Sequence, residues 1–150
     1  MNKVFNTPFE TGLRLLLILY TANSSGMSID RLAAFDFMTL YGKDFDISDF
    51  NLNGINGFNF SELPTRREVC MQGMKEFALD GLVNVKRTKN GFKYKISEAG
   101  RQYVEALNSD YAKQYISALQ NVLDAFGSKS DAALVKGINS KAVQALRREI

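Results

Sequence analysis

The chain has 150 residues, 45% of them apolar, with eleven Phe and six Tyr, enough for one hydrophobic core and an appended helical tail. The net charge is only +3, and there is no His and a single Cys, which excludes most His-based acid–base chemistry, most transition-metal sites, internal disulfides and multi-Cys zinc centres. The longest apolar run, Leu15 to Tyr20, is far short of a membrane span, and the N-terminus lacks the marks of a signal peptide, so a reducing, cytoplasmic location is expected.

Thr7-Pro8-Phe9-Glu10 reads as a capping box with Pro at the first helical position. Leu13, Leu16, Leu17 and Tyr20 form one face of the helix that follows, and Leu15, Ile18 and Leu19 fill most of the rest. A helix apolar nearly all round is buried on several sides, so this one is expected at the centre of the core. It ends near Asn23-Ser24-Ser25-Gly26. Ser28 caps a second helix through about Tyr41, with Ile29, Leu32, Ala33, Phe37 and Leu40 at helical spacing and Gly42 as its stop.

The segment from 42 to 63 is rich in Gly, Asn and Asp, which disfavours regular structure. Its large apolar residues, Phe45, Ile47, Phe50, Leu52, Ile55, Phe58 and Phe60, are too many for a solvated linker. Either the loop packs on its own domain or it docks on another subunit. Candidate partner-binding residues are therefore Phe45, Phe50, Phe58 and Phe60, joined by Leu146 and Ile150 at the far end of the chain. Asp49-Phe50-Asn51-Leu52-Asn53-Gly54 matches the start of a calcium-binding loop, but the position of its bidentate Glu is Phe60, so no metal is expected.

Thr65-Arg66-Arg67-Glu68 reads as a second capping box, opening a helix from Thr65 to Asp80 with Val69, Met71 (or Gly73), Phe77 and Ala78 inward. Cys70, in its middle, reads as a small buried apolar residue rather than a nucleophile. Gly81 suits the left-handed position after the helix. A hairpin follows from Leu82 to Ile96. With Asn90-Gly91 as its turn, Lys89 faces Phe92, Arg87 faces Tyr94, Val85 faces Ile96, and Lys86 faces Lys95. Val83, Val85, Phe92, Tyr94 and Ile96 then share the core face, and Lys86, Thr88, Lys93 and Lys95 the other.

Ser97 opens a helix to about Asn108, and Asn108-Ser109-Asp110 breaks it and caps another. Tyr111, Tyr115, Leu119, Val122 and Phe126 mark its narrow apolar stripe, which ends at Gly127. The tail from Ser128 reads as one or two short amphipathic helices broken at Gly137. Leu134, Val135 and Ile138 form one patch there, and Val143, Leu146 and Ile150 another.

This order predicts a mainly α protein with a small β-hairpin (α+β). The expected organisation is a winged helix-turn-helix domain over residues 1–107, with a loop insertion at 42–63 and a helical C-terminal extension at 108–150. Charge is uneven along it: residues 1–62 carry −3, residues 63–101 carry +5, and the tail +1. The hairpin holds five Lys and Arg and no acid. Candidate DNA-binding residues are Arg66, Arg67 and Lys75 on the helix and Lys86, Arg87, Lys89, Lys93 and Lys95 on the wing. Glu68 and Glu76 are interleaved on that helix, which favours phosphate contact over base readout. No phosphate-binding loop, dinucleotide fingerprint or nucleophile elbow is present, so neither an enzyme nor a cofactor is expected.

Three segments carry a family resemblance. They are Phe5 to Arg14; Leu32 to Tyr41 with Asp36-Phe37; and Glu62 to Val69 followed by Gly73 and Asp80-Gly81-Leu82-Val83. Their order and spacing resemble the small middle component of ABC-three-component systems, which include Lamassu-type anti-phage and anti-plasmid defence complexes. The resemblance spans roughly residues 4 to 107, and the Asn-rich loop at 50–60 departs from the family pattern. It implies a non-enzymatic adaptor, similar to the winged-helix subunits of SMC complexes. Such a subunit binds the heads of an SMC/Rad50-like coiled-coil ATPase and links them to an effector, often a nuclease. The competing reading is a free-standing winged-helix transcription regulator, dimeric through the helix at Asp110 to Phe126. A third is a toxin-associated or anti-defence protein without DNA contact.

Overall fold

The computed structural model describes residues 7–47, 52 and 63–149. The candidate partner residues Phe50, Phe58, Phe60 and Ile150 lie outside the described residues, as do the Leu146 side chain and all of the calcium-like stretch except Leu52. Among the described residues there are six α-helices, a short 3-10 turn and one two-stranded antiparallel sheet, which agrees with the mainly α, α+β expectation.

Helix α1 (Pro8–Ala22) opens as its cap predicts, with Thr7 Oγ1 accepting the Glu10 N–H at 3.1 Å. Leu15 to Leu19 are each at most 2% exposed, so α1 is enclosed on every side and forms the centre of the core. Asn23 ends it in the left-handed region at φ 49°. Between α1 and α2 (Ile29–Leu40), Met27 exchanges both backbone hydrogen bonds with Tyr94, at 2.9 and 2.8 Å, and adds one rung to the sheet. Ser28 caps α2 through the Arg31 N–H.

After α2 the 3-10 turn Gly42–Phe45 folds Phe45 inward. Phe45 is 7% exposed and meets Phe37 edge-on at 6.3 Å, so it packs into this chain's core. Ile47 and Leu52 are also packed against that core, and the Leu52 N–H donates to Leu40 O at 2.9 Å. At these three positions the segment packs on its own domain.

Helix α3 (Leu63–Leu79) starts two residues earlier than expected, so Thr65 lies inside the helix and is not its cap. Pro64 occupies the first turn, where its missing N–H leaves no hydrogen bond unmade. The inward stripe is Cys70, Gly73, Met74 and Phe77; Met71 turns outward and is 39% exposed. Helices α1 and α3 touch through glycines. A Cβ on Gly73 would stand 2.7 Å from Pro8 O and 2.8 Å from Gly12 N. Gly81, at φ 79°, closes α3: its N–H reaches Ala78 O and the Leu82 N–H reaches Phe77 O, both at 3.0 Å.

The hairpin pairs β1 (Val83–Thr88) with β2 (Gly91–Ile96) in a register shifted by two residues from the expected one. Lys86 faces Lys93 rather than Lys95, Arg87 faces Phe92, Val85 faces Tyr94 and Val83 faces Ile96. An Asn-Gly turn needs positive φ at both residues, and of the pair only Gly91 has it, at 107°. Thr88 closes the loop one residue earlier, accepting the Asn90 N–H at 3.2 Å and donating to Gly91 O at 2.6 Å. A shift of two preserves the faces, so the expected division between apolar and lysine faces stands.

Helices α4 (Glu98–Ala106) and α5 (Asp110–Phe126) begin at the predicted caps Ser97 and Ser109. Tyr115, Leu119 and Val122 of α5 are at most 1% exposed and join the common core. The stripe proposed for a dimer is therefore used inside the chain. Helix α6 (Asp131–Glu149) runs through Gly137 unbroken, against expectation. A mid-helix Gly costs only about 1 kcal/mol, less than burying Leu134 and Ile138 on either side of it gains. Arg31 holds the α5–α6 connection, donating to Gly127 O and Lys129 O at 2.6 Å each. No helix among the described residues is long and apolar enough to cross a membrane.

Candidate functional site

Five of the candidate cations lie on the hairpin. Lys86, Arg87, Lys89 and Lys95 are exposed, and Lys93 is half-buried beside Gly26. None of the five forms an ion pair among the described residues. The cross-strand pair Lys86–Lys93 sets like charges opposite each other, which is unfavourable without an anion between them. Toward the turn the other face also emerges: Val85 is 43% and Phe92 54% exposed.

The cations of α3 are placed differently. Arg66 is half-buried; its Nη2 donates to the Tyr41 hydroxyl at 2.8 Å, and its guanidinium lies 5.4 Å from the Phe37 ring centre and 5.3 Å from that of Tyr41. Arg67 Nε donates to Asp30 Oδ1 at 2.7 Å, with both side chains 49% exposed. Lys75 is exposed, as are Glu68, Gln72, Glu76 and Leu79. The candidate set thus divides into five wing cations, Lys75 apart on the helix, and two arginines engaged within the fold. Arg66, Arg67 and Phe37 also line a cleft of about 330 Å³ between α2, α3 and α6, together with Ala33, Val135 and Ile138.

A buried charge network was not foreseen. Arg14 Nε and Nη2 donate to the two carboxylate oxygens of Asp36 at 2.8 and 3.1 Å, and the Tyr115 hydroxyl donates to Asp36 Oδ1 at 2.6 Å. Arg14 is 2% and Asp36 3% exposed, so the fork-to-carboxylate pairing sits in the apolar interior. Burial pulls the Arg14 pKa down, but the charge and hydrogen bonds of Asp36 outweigh it and hold the pKa above the ordinary value. Burial, then Asp36, raises the Tyr115 phenol. The same two causes push the Cys70 thiol up to about 12, so it stays protonated at neutral pH and is no nucleophile. The available signal was a charge set among apolar residues in the middle of each helix, Arg14 in α1 and Asp36 in α2.

Residues 4–148 match the family model of the ABC-three component (ABC-3C) system Middle Component 2. The chain belongs to that family. No curated protein and no solved structure matches it. As a Middle Component 2 protein it is one component of a multi-part system, and the match reaches beyond residue 107 through α5 and α6. The three segments of the resemblance meet in space. Gly12 of the first packs on Gly73 of the third, Arg14 of the first binds Asp36 of the second, and Arg66 of the third stacks on Phe37 and Tyr41 of the second. In this Middle Component 2 member the recognisable residues join helices, and the five hairpin cations lie apart from them.

Proposed function

We propose that this Middle Component 2 protein is a non-enzymatic adaptor of a Lamassu-type defence complex. In this reading it is a cytoplasmic winged-helix subunit that binds the heads of an SMC/Rad50-like ATPase, links them to an effector, and contacts DNA without sequence preference through its wing. The element order supports the winged-helix part: α1, the Met27 rung, α2, α3, then the hairpin whose β2 pairs with that rung. Helix α3 then holds the recognition position, and its outward Glu68 and Glu76 oppose base reading. The observation that carries the proposal is the wing: five cations without an ion pair among the described residues, in a chain whose family is one part of a larger assembly. A free-standing dimeric regulator has less support, because the apolar stripe of α5 is already buried.

The test is co-expression of the tagged chain with an SMC/Rad50-like ATPase and an effector from its host. The adaptor reading expects one stoichiometric complex on size exclusion. It is abandoned if the ATPase and effector associate fully and act on DNA while this chain elutes alone.

A further inference from the structure

The two faces of the wing are chemically unlike. Strand alternation sets Val85, Arg87, Phe92 and Tyr94 on one face and Lys86, Lys93 and Lys95 on the other. At the base of the hairpin the first face is core: Val83 is 3% and Ile96 4% exposed. Near the turn it leaves the core, and Phe92 stands 54% exposed directly across from Arg87. Packing within the chain does not account for a large aromatic side chain at that place.

We infer that Phe92 is a stacking wedge for an exposed base at a DNA end or fork, with the lysine face holding the adjoining phosphates. The inference rests on the DNA-contact reading above and names which DNA the wing selects. Five cations and no acid make the hairpin complementary to a polyanion. An aromatic ring adds affinity for the π-face of a base whatever its sequence. Inside an intact duplex those faces are covered by their neighbours, and opening a step costs a few kcal/mol of unstacking. At an end or a fork one face is already open. A hairpin with a stacking face and a phosphate face therefore suits an end better than an internal site. Arg87, on the same face as Phe92, is placed to follow the strand past the stacked base.

The experiment uses the full chain and a short forked duplex carrying 2-aminopurine at its open base, competed by unlabelled fork or by relaxed, covalently closed circular DNA. The expected results are a fluorescence change on binding and weak competition by the circle. Phe92→Ala and Phe92→Leu should weaken fork binding by about 5- to 150-fold, and Phe92→Trp should retain it. Phe92 is half exposed, so circular dichroism of all three should match the parent. If the circle competes equally, or Phe92→Ala binds the fork like the parent, the wedge is wrong even though Lys86→Glu with Lys95→Glu weakens both DNA forms. If neither form binds, with or without the ATPase, the DNA reading fails and the wedge with it.

Discussion

Replacing Asp36 by Asn tests whether the buried network holds the helices together. Asp36 accepts two hydrogen bonds from Arg14 and one from Tyr115, with all three residues at most 3% exposed. The variant keeps the shape but removes the negative charge, and its amide nitrogen faces a guanidinium that can only donate. Breaking one partner of a buried ion pair costs about 3–5 kcal/mol, because the remaining charge cannot regain water. A domain of this size has about 5–15 kcal/mol in hand, so the variant should fold but marginally. At about 2–4 °C per kcal/mol, the melting temperature should fall by roughly 6–20 °C. Tyr115→Phe removes one bond to a charged acceptor and should cost about 1.5–3 kcal/mol. The double variant Arg14→Met with Asp36→Leu removes both charges and should recover part of the loss, the buried Tyr115 hydroxyl still lacking its acceptor. Urea and thermal unfolding followed by circular dichroism measure all three. An Asp36→Asn loss below about 1 kcal/mol, against the 3–5 expected for a broken buried pair, would refute the reasoning. So would a double variant as unstable as the sum of its singles.

Gly73→Ala should push α1 from α3, since the added Cβ would stand 2.7 Å from a backbone oxygen; urea midpoints should show a loss of about 1–3 kcal/mol. Gly137→Ala meets open space in mid-helix and should stabilise by about 0.5–1 kcal/mol in the same assay. The Cys70 thiol ionises near its ordinary value of 9.0 when unfolded and only at about 12 when folded, so the unfolded state gains as pH rises between them. Stability should be flat below pH 9 from this group and fall above it, with a shallower fall in Cys70→Ala; native Cys70 should resist alkylation that proceeds in urea. Where the complex binds DNA, the log affinity against log salt should have a slope of roughly −4 to −5 if each wing cation neutralises one phosphate, and Lys86→Ala should flatten it by about 1.

Features decided within a few residues were legible in the sequence. The caps Thr7, Ser28, Ser97 and Ser109 and the stop at Gly81 all appear where side-chain chemistry puts them. The enclosed α1 was legible too, because an all-round apolar helix has one place to go. Errors arose where two local signals competed. Asn90-Gly91 suggests a turn, but the Thr88 hydroxyl closes it one residue earlier. Thr65 to Glu68 has a cap pattern, yet the helix already runs through Pro64. Gly137 suggests a break, but Leu134 and Ile138 bury enough surface to carry the helix across it. Partners distant in the chain were not legible. Arg14 and Asp36 are separated by 22 residues, and nothing local says that they meet. The same holds for Arg66, which turns inward because Tyr41 and Phe37 lie there.

That inward turn decides where positive charge appears on the molecule. Arg66 stacks on aromatic rings and Arg67 pairs with Asp30, so both guanidinium groups of α3 are already engaged within the fold. Its outward face keeps Glu68, Lys75 and Glu76, two acids to one base. The hairpin keeps all five of its cations. A polyanion approaching this chain is therefore drawn to the wing before the helix, the reverse of what a base-reading winged helix needs. Because the base of the wing is fixed by Val83, Ile96 and the Met27 rung, that charge is presented at a set position relative to the core.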